Sequence, residues 1–314
     1  MGKNIGKRLA MLVVILMGVT ILTFVYTNLS PVDAGEALAV RRYGRPTALQ
    51  IENVQKELGL DKPVVEQYFT WLKNAMKGNF GNSYQTGRPI IEELLVSIKP
   101  TIIMAILATV VVLMISVPLG ILSAKKKGGF FDKTVYLFGV ISMSIPNYCI
   151  GFFLLIMFAV NIPLFNLMGA DSFKDYILPA ISLAIPVAAG NIRIFRSSLL
   201  EGYNSDFVMY ARARGVSEFK IAGMVSRYAF PPLVTLVAQG LGFMIAGSAM
   251  VEYVFAIRGL GTMMIDALQS RDTITINACV LTIAAIFVIV NFMADMINIF
   301  LNPVMSDKGG NYDW

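Results

Sequence analysis

The chain has no histidine, two cysteines among 314 residues, and no complete phosphate-binding loop. Without histidine the commonest metal ligand and the usual proton shuttle are both missing. Cys149 and Cys279 fall inside apolar runs, so they read as small buried hydrophobes rather than a disulfide or a metal pair. The nearest approach to Gly-x-x-x-x-Gly-Lys-Ser/Thr runs from Gly2 to Arg8, and Arg8 stands where the hydroxyl is needed. A nucleophile, base and orienter triad is equally hard to assemble without histidine. No catalytic residue, resident metal or cofactor is expected. Charge is scarce too. Only 15% of residues are charged and 56% are hydrophobic, which is too apolar for an ordinary soluble domain.

The apolar residues are gathered into six runs: Leu9 to Leu29, Thr101 to Ser123, Thr134 to Val160, Tyr176 to Ile192, Ala229 to Val251 and Ile276 to Leu301. Most reach the ~20 residues a helix needs to cross the hydrocarbon core. The fourth is short and carries Pro179 and Pro186. Lys3, Lys7 and Arg8 give the first run the flank of a signal peptide. Its apolar stretch exceeds the roughly 7–15 residues of a signal core, so a retained helix is expected. The fold class expected is all-α: a polytopic integral membrane helical bundle with about six transmembrane helices. Along the chain this gives residues 1–29 as the N-terminal end and first crossing, 30–99 as an extracytoplasmic helical segment, and 100–314 as a five-helix core containing a cytoplasmic loop at 193–228.

A net charge of +6 could suggest nucleic acid, but its distribution points to topology. With the N-terminus inside, the inner segments hold fourteen lysines and arginines, while the short outer loops hold only Lys174, Arg258 and Arg271. The remaining nine lie in the long first loop, whose length exempts it from the positive-inside rule. Both ends are therefore expected in the cytoplasm. Lys125 to Lys127 fit the same topological role, with lipid binding as the alternative.

In the outer segment, Ile51, Val54 and Leu58 share one face of a helix ending at Gly59. Asp61 is expected to cap a second helix with Pro63 in its first turn, and Val65, Phe69, Leu72 and Met76 recur at helical spacing. Pro89 should open a short helix toward Lys99. The segment is either a packed cap or a docking surface for an extracellular partner.

Two polar features interrupt the apolar pattern. Asn291, Asp295, Asn298 and Asn302 lie on one face of the last run. Asp295 costs about 3 kcal/mol at a bilayer centre, whereas each strongly apolar neighbour returns about 0.3–0.6 kcal/mol. The stripe should face protein or water, as glue between helices or as a lining of a translocation path or gate. Breaks at Pro118-Leu119-Gly120, Ile145-Pro146-Asn147, Pro186 and Gly190-Asn191 are the kind that line cavities in transporters.

The second feature is the stretch from Ser205 to Glu218. Ser205 suits a helix N-cap, and Asp206 suits the positive end of the dipole. Arg212 and Arg214 suit the negative end, and Gly215 supplies a left-handed stop before a second start at Ser217-Glu218. The pattern predicts a short helix, a glycine bend and another short helix at a membrane surface. That shape suits a membrane protein that receives a push from a soluble motor.

Asp206-Phe207-Val208, Ala211-Arg212-Ala213-Arg214-Gly215 and Ser217-Glu218 together resemble the coupling loop of ABC importer permeases, in the form found in the peptide/nickel family. The likeness extends to Leu58-Gly59-Leu60-Asp61-Lys62-Pro63, Gly87-Arg88-Pro89, Val251-Glu252-Tyr253-Val254-Phe255 and Gly259-Leu260-Gly261, which fit the first of that family's two permeases. Met209-Tyr210 and Asn302 depart from the general pattern. The resemblance implies a type I permease fold that forms half of a pore in a bacterial plasma membrane. It also implies a second homologous permease, two cytoplasmic ATP-binding subunits that hydrolyse the ATP, and an extracytoplasmic solute-binding protein. The ATPase-coupling residues implied are Asp206, Phe207, Ala211, Arg212, Arg214, Gly215 and Glu218. Ala211 is expected to be small because it meets the ATPase closely. The cargo implied is a nickel or other metal chelate or a di- or oligopeptide. Leu29-Ser30-Pro31-Val32-Asp33-Ala34-Gly35-Glu36-Ala37 looks more like the nickel branch. The rivals are an ion-gradient-driven transporter, which commonly carries several midplane ionisable groups, and a membrane scaffold.

Overall fold

A computed structural model describes residues 2–29, 34–166, 169–170 and 172–301, with side chains from Ala10 onward except at 27 and 298–301. The described residues are helical, with one isolated antiparallel bridge between Asn82 and Pro89. In order the helices are α1 (Gly2–Leu29), α2 (Ala34–Tyr43), α3 (Ala48–Glu57), α4 (Val64–Ala75), α5 (Ile90–Lys125), α6 (Phe130–Ser144), α7 (Asn147–Leu155), α8 (Ile177–Tyr203), α9 (Asp206–Ala213), α10 (Glu218–Ala246), α11 (Ala249–Val254), α12 (Leu260–Gln269) and α13 (Thr273–Leu301). A π-helical stretch, Ile156–Asn161, extends α7, and a 3-10 turn, Phe173–Tyr176, leads into α8.

The helices α5, α10 and α13, and α8 with its 3-10 turn, are each long and apolar enough to cross a membrane. α6 and α7 pass only as a pair, bent by 98°. Ala10–Tyr26 makes a shorter apolar helix within α1. These account for the six runs, with three revisions. The short helix expected after Pro89 does not end before the second crossing; it fuses with it into the 36-residue α5. The third run is broken rather than straight. The fourth is a full-length helix that contains Pro186. Of the four expected breaks only Ile145-Pro146 interrupts a helix, because both residues are extended there, with ψ of 127° and 139°. Pro118, Pro186 and Gly190 lie inside continuous helices.

Contacts group the chain into two units, residues 102–257 with those from 287 onward, and residues 2–101 with 258–286. In the first unit α8 is central. Ala180, Ala184 and Ala188, spaced by four, are all buried and share a core with Met104, Ala108, Val112, Val251 and Phe255. Lipid tails are as apolar as side chains, so helices in a membrane associate by close packing, and small residues permit it. α10 uses a glycine in the same way: a Cβ at Gly242 would stand 2.3 Å from the Phe287 ring of α13.

In the second unit, Ile90, Leu94, Leu260, Ala278 and Cys279 form one core, and Leu38, Ala39 and Val54 form a smaller one. Thr47 caps α3 with a capping box to Gln50, and Leu58 and Gly59 end it as the periodicity predicts. Asp61 does not cap α4; Pro63 occupies the N-cap and brings no side-chain hydrogen bond. The spaced face of α4 is not buried, since Val65, Phe69 and Met76 are all exposed. Tyr68 and Trp71 do the packing, against Phe24 of α1, and the Tyr68 hydroxyl lies 2.9 Å from Thr20 Oγ1. Cys279 is buried as expected, but Cys149 is exposed.

Gly242→Ala tests the packing. The added methyl forces α10 from α13 or Phe287 from its rotamer, at about 1–3 kcal/mol. Purified protein in detergent should show a lower unfolding temperature; an unchanged one would mean the two helices do not touch there.

Candidate functional site

The site is assembled where α8 ends. Ser205 is extended, with φ −78° and ψ 155°, and α9 starts at Asp206. Ser205 occupies the expected N-cap, but its hydroxyl does not close the helix. It donates backward to the Gly202 carbonyl at 2.5 Å, while its own carbonyl accepts the Val208 N–H at 3.1 Å. The C-terminal stop is as expected. Gly215 has φ +74°, and two bonds close the last turn: Gly215 N–H to Arg212 O at 2.9 Å and Val216 N–H to Ala211 O at 3.0 Å. This crossed pair satisfies the end carbonyls and requires a left-handed residue between them. Arg212 then clasps Glu218 across the turn, Nε to Oε1 at 2.9 Å and Nη2 to Oε2 at 3.3 Å. Both side chains are more than half exposed, so the pair orients the turn more than it stabilises it. The second start at Ser217 is real, but the helix it begins is the 29-residue α10 rather than a short one. The non-helical part of the expected 193–228 loop shrinks to a few residues on either side of α9.

α9 has two faces. Val208 and Ala211 are buried with Leu199, Ile221 and Val225 in one cluster, and the Phe207 ring lies 5.8 Å from that of Tyr228. Asp206, Met209, Tyr210 and Ala213 face outward, as do Arg214 in the following turn and Phe219 at the start of α10, which is 91% exposed. Ala211 therefore meets this chain's own core. It shares that cluster with Leu199 of α8 and with Ile221 and Val225 of α10, a packing that suits a small side chain.

The stripe on α13 is described in part. The Asn291 amide donates to the Phe287 carbonyl of its own helix at 2.8 Å, and Asp295 is half-buried. The Asn298 side chain and Asn302 lie outside the described residues. The most deeply buried carboxylates are elsewhere. Asp132, one turn into α6, accepts from the Arg196 guanidinium through Nε at 2.7 Å and Nη2 at 2.6 Å, from the Gly128 N–H at 2.8 Å and from the Ser123 hydroxyl. Glu252 is fully buried and accepts from the Ser248 hydroxyl at 2.8 Å. Asp272 caps α13 through the Thr275 N–H at 3.1 Å and holds the Ser83 hydroxyl at 2.7 Å. Burial, with the Asp272 charge adding to it, raises the pKa of the Tyr84 phenol well above the ordinary value. Each of these acids lies a few residues outside the end of an apolar run, which is the sequence signal that marks them. Among the described residues no group of three His, Cys, Asp or Glu could hold a metal ion.

Ala211→Trp should lower the unfolding temperature of the purified chain, because overpacking costs about 1–3 kcal/mol. Ala213→Trp, on the exposed face, should leave it unchanged. Equal effects from both would place Ala211 outside the core.

The chain matches two family models. Residues 116–307 match "Binding-protein-dependent transport system inner membrane component", and residues 1–112 match the N-terminal membrane component of the same systems. It is 32% identical to the metal-staphylopine import system permease protein CntB of Staphylococcus aureus, over 96% of this chain and 98% of that one. It is also 32% identical to the glutathione transport system permease protein GsiC of Pectobacterium atrosepticum, with the same coverage. It is 30% identical to a probable peptide ABC transporter permease protein of Sinorhizobium fredii, over 96% and 99%. In fold it is similar to a chain of the MetNI methionine ABC transporter in an inward-facing conformation, with a TM-score of 0.57, 19% identity, and coverage of 67% of this chain and 96% of that one. Relatives and family model agree on a transport subunit of the plasma membrane, whose ATP is hydrolysed by partner subunits. The chain belongs to the inner membrane component family of binding-protein-dependent transport systems, as a multi-pass permease subunit of an ABC importer.

Proposed function

We propose that the Ser205–Glu218 turn is where a cytoplasmic ATPase subunit drives this permease, and that the cargo is a small peptide or a metal chelate. The observation that carries the first part is the outward face of α9. Met209, Tyr210 and Phe219 are large and exposed beside Arg212, Arg214 and Glu218, while the opposite face is locked into the core. A helix held on one side and bare on the other transmits a push as a rigid lever. The coupling reading keeps Asp206, Phe207, Arg212, Arg214, Gly215 and Glu218 in contact-forming or turn-shaping roles and gives Ala211 an internal one. The permease would work with a second homologous permease, two ATPase subunits and a solute-binding protein. Closure of the ATPases would bias the pore between two packings. The uncovered α4 face, with Val65, Phe69 and Met76, suits the binding protein. The cargo range rests on relatives named for peptides, glutathione and metal-staphylopine.

Gly215→Val forces a Cβ-bearing residue into the left-handed region at about 1–2 kcal/mol. The variant should insert and assemble, yet ATP hydrolysis by the complex should lose its stimulation by the binding protein. Full stimulation would reduce the turn to a connector.

Orientation follows from the charge asymmetry. In a background with Cys149 and Cys279 replaced by serine, a cysteine at Asp61 should react with an impermeant maleimide in intact cells. One at Glu218 should react only after the cells are opened. Labelling of both from one side would contradict the topology.

A further inference from the structure

We propose that Asp132 is a positioning residue that joins the driven turn to the break in the α6–α7 crossing, an inference that rests on the reading of Ser205–Glu218 as the ATPase-facing segment. The carboxylate gathers donors from three places at one end of the helices. Ser123 comes from the last turn of α5, Gly128 from the α5–α6 turn, and Arg196 from α8, two turns before that helix ends. The same end holds the driven turn, since Ala124 of α5 and Phe195 of α8 pack in the cluster that contains Val208 and Ala211.

Further along, at Gly139, α6 meets α8 through a small apolar contact. A Cβ at Gly139 would lie 3.7 Å from the Ala189 methyl, in ordinary van der Waals contact. Such contacts are non-directional and permit sliding. The guanidinium fork on Asp132 is directional, with two parallel charge-assisted bonds that fix orientation as well as distance. Motion of the α8 end therefore carries the start of α6 with it. α6 is a rigid helix as far as Ser144, and the first residues free to absorb its motion are Ile145 and Pro146. Beyond them α7 packs on α11 as well as on α8, and the Asn147 amide donates to the Gly247 carbonyl at 3.4 Å. The joint thus converts a displacement of α9 into a change of the 98° bend.

Cys149, exposed in the first turn of α7, is a natural reporter of that bend. The test uses the co-expressed importer complex in nanodiscs, with Cys279→Ser in this chain. The rate at which N-ethylmaleimide modifies Cys149 is measured on this chain, without nucleotide and after trapping with ATP and vanadate. The background complex should show a nucleotide-dependent change in rate. Asp132→Asn should shrink that change by about fivefold or more, the lower edge of ordinary allosteric coupling, while ATP hydrolysis persists. Asp132→Asn/Arg196→Met removes both charges, so no uncompensated arginine destabilises the fold, and it should give the same loss. A full nucleotide response in the double variant overturns the joint, as does a background complex whose Cys149 rate ignores nucleotide. Gly215→Val separates the two layers. If it abolishes the response while both Asp132 variants keep it, only the joint falls. If it keeps the response, the ATPase-facing reading falls too.

Discussion

A charged group that enters the apolar interior of this chain is costly unless it brings partners, because hydrocarbon offers none. That constraint keeps the backbone of the described crossings helical apart from the break at Ile145-Pro146, and it selects the places where charge is allowed. Asp132 sits in the bundle because Arg196, Ser123 and Gly128 surround it. Asp272 is fully buried because a helix start and the Ser83–Gln85 turn converge on it. Around these fixed points, helices approach through alanine and glycine, as in the Ala180, Ala184 and Ala188 stripe of α8.

Under the proposed coupling role, the same constraint accounts for how the permease would offer a lever to a soluble partner. α9 leaves the bundle between two long helices, buries Val208 and Ala211, and keeps its aromatic and charged residues outside. The turn is shaped locally by Gly215 and the Arg212–Glu218 clasp. Its position is shaped by the core beneath it. Family membership sets aside the ion-gradient transporter and the scaffold.

Much of this was legible in the sequence. Run length gave the crossings, and Gly215 announced its left-handed stop because few other residues adopt that conformation. What remained hidden depended on distant partners. The fourth run looked short because Arg193 and Arg196 end its apolar stretch, and only Asp132, 64 residues earlier, explains why the helix continues. Ala211 was readable as a position that must be small, but composition cannot say whether the close neighbour is a partner or the chain itself. Helical spacing placed Val65, Phe69 and Met76 on one face of α4 without revealing that Tyr68 and Trp71 would take the buried side. Proline was an uneven guide: Pro118 and Pro186 sit within continuous helices, whereas Pro146 follows an extended Ile145 and breaks one as expected.

The central claim is that one face of α9 belongs to this chain and the other to an ATPase. Its most direct test is the solvent exposure of individual α9 residues in an experimentally determined structure of the assembled complex. Met209 and Tyr210 of α9, with Phe219 at the start of α10, should lose most of their exposure against the ATPase subunit while Ala211 stays within the permease core. Contact between Ala211 and the ATPase, with Tyr210 and Phe219 still in solvent, would contradict it.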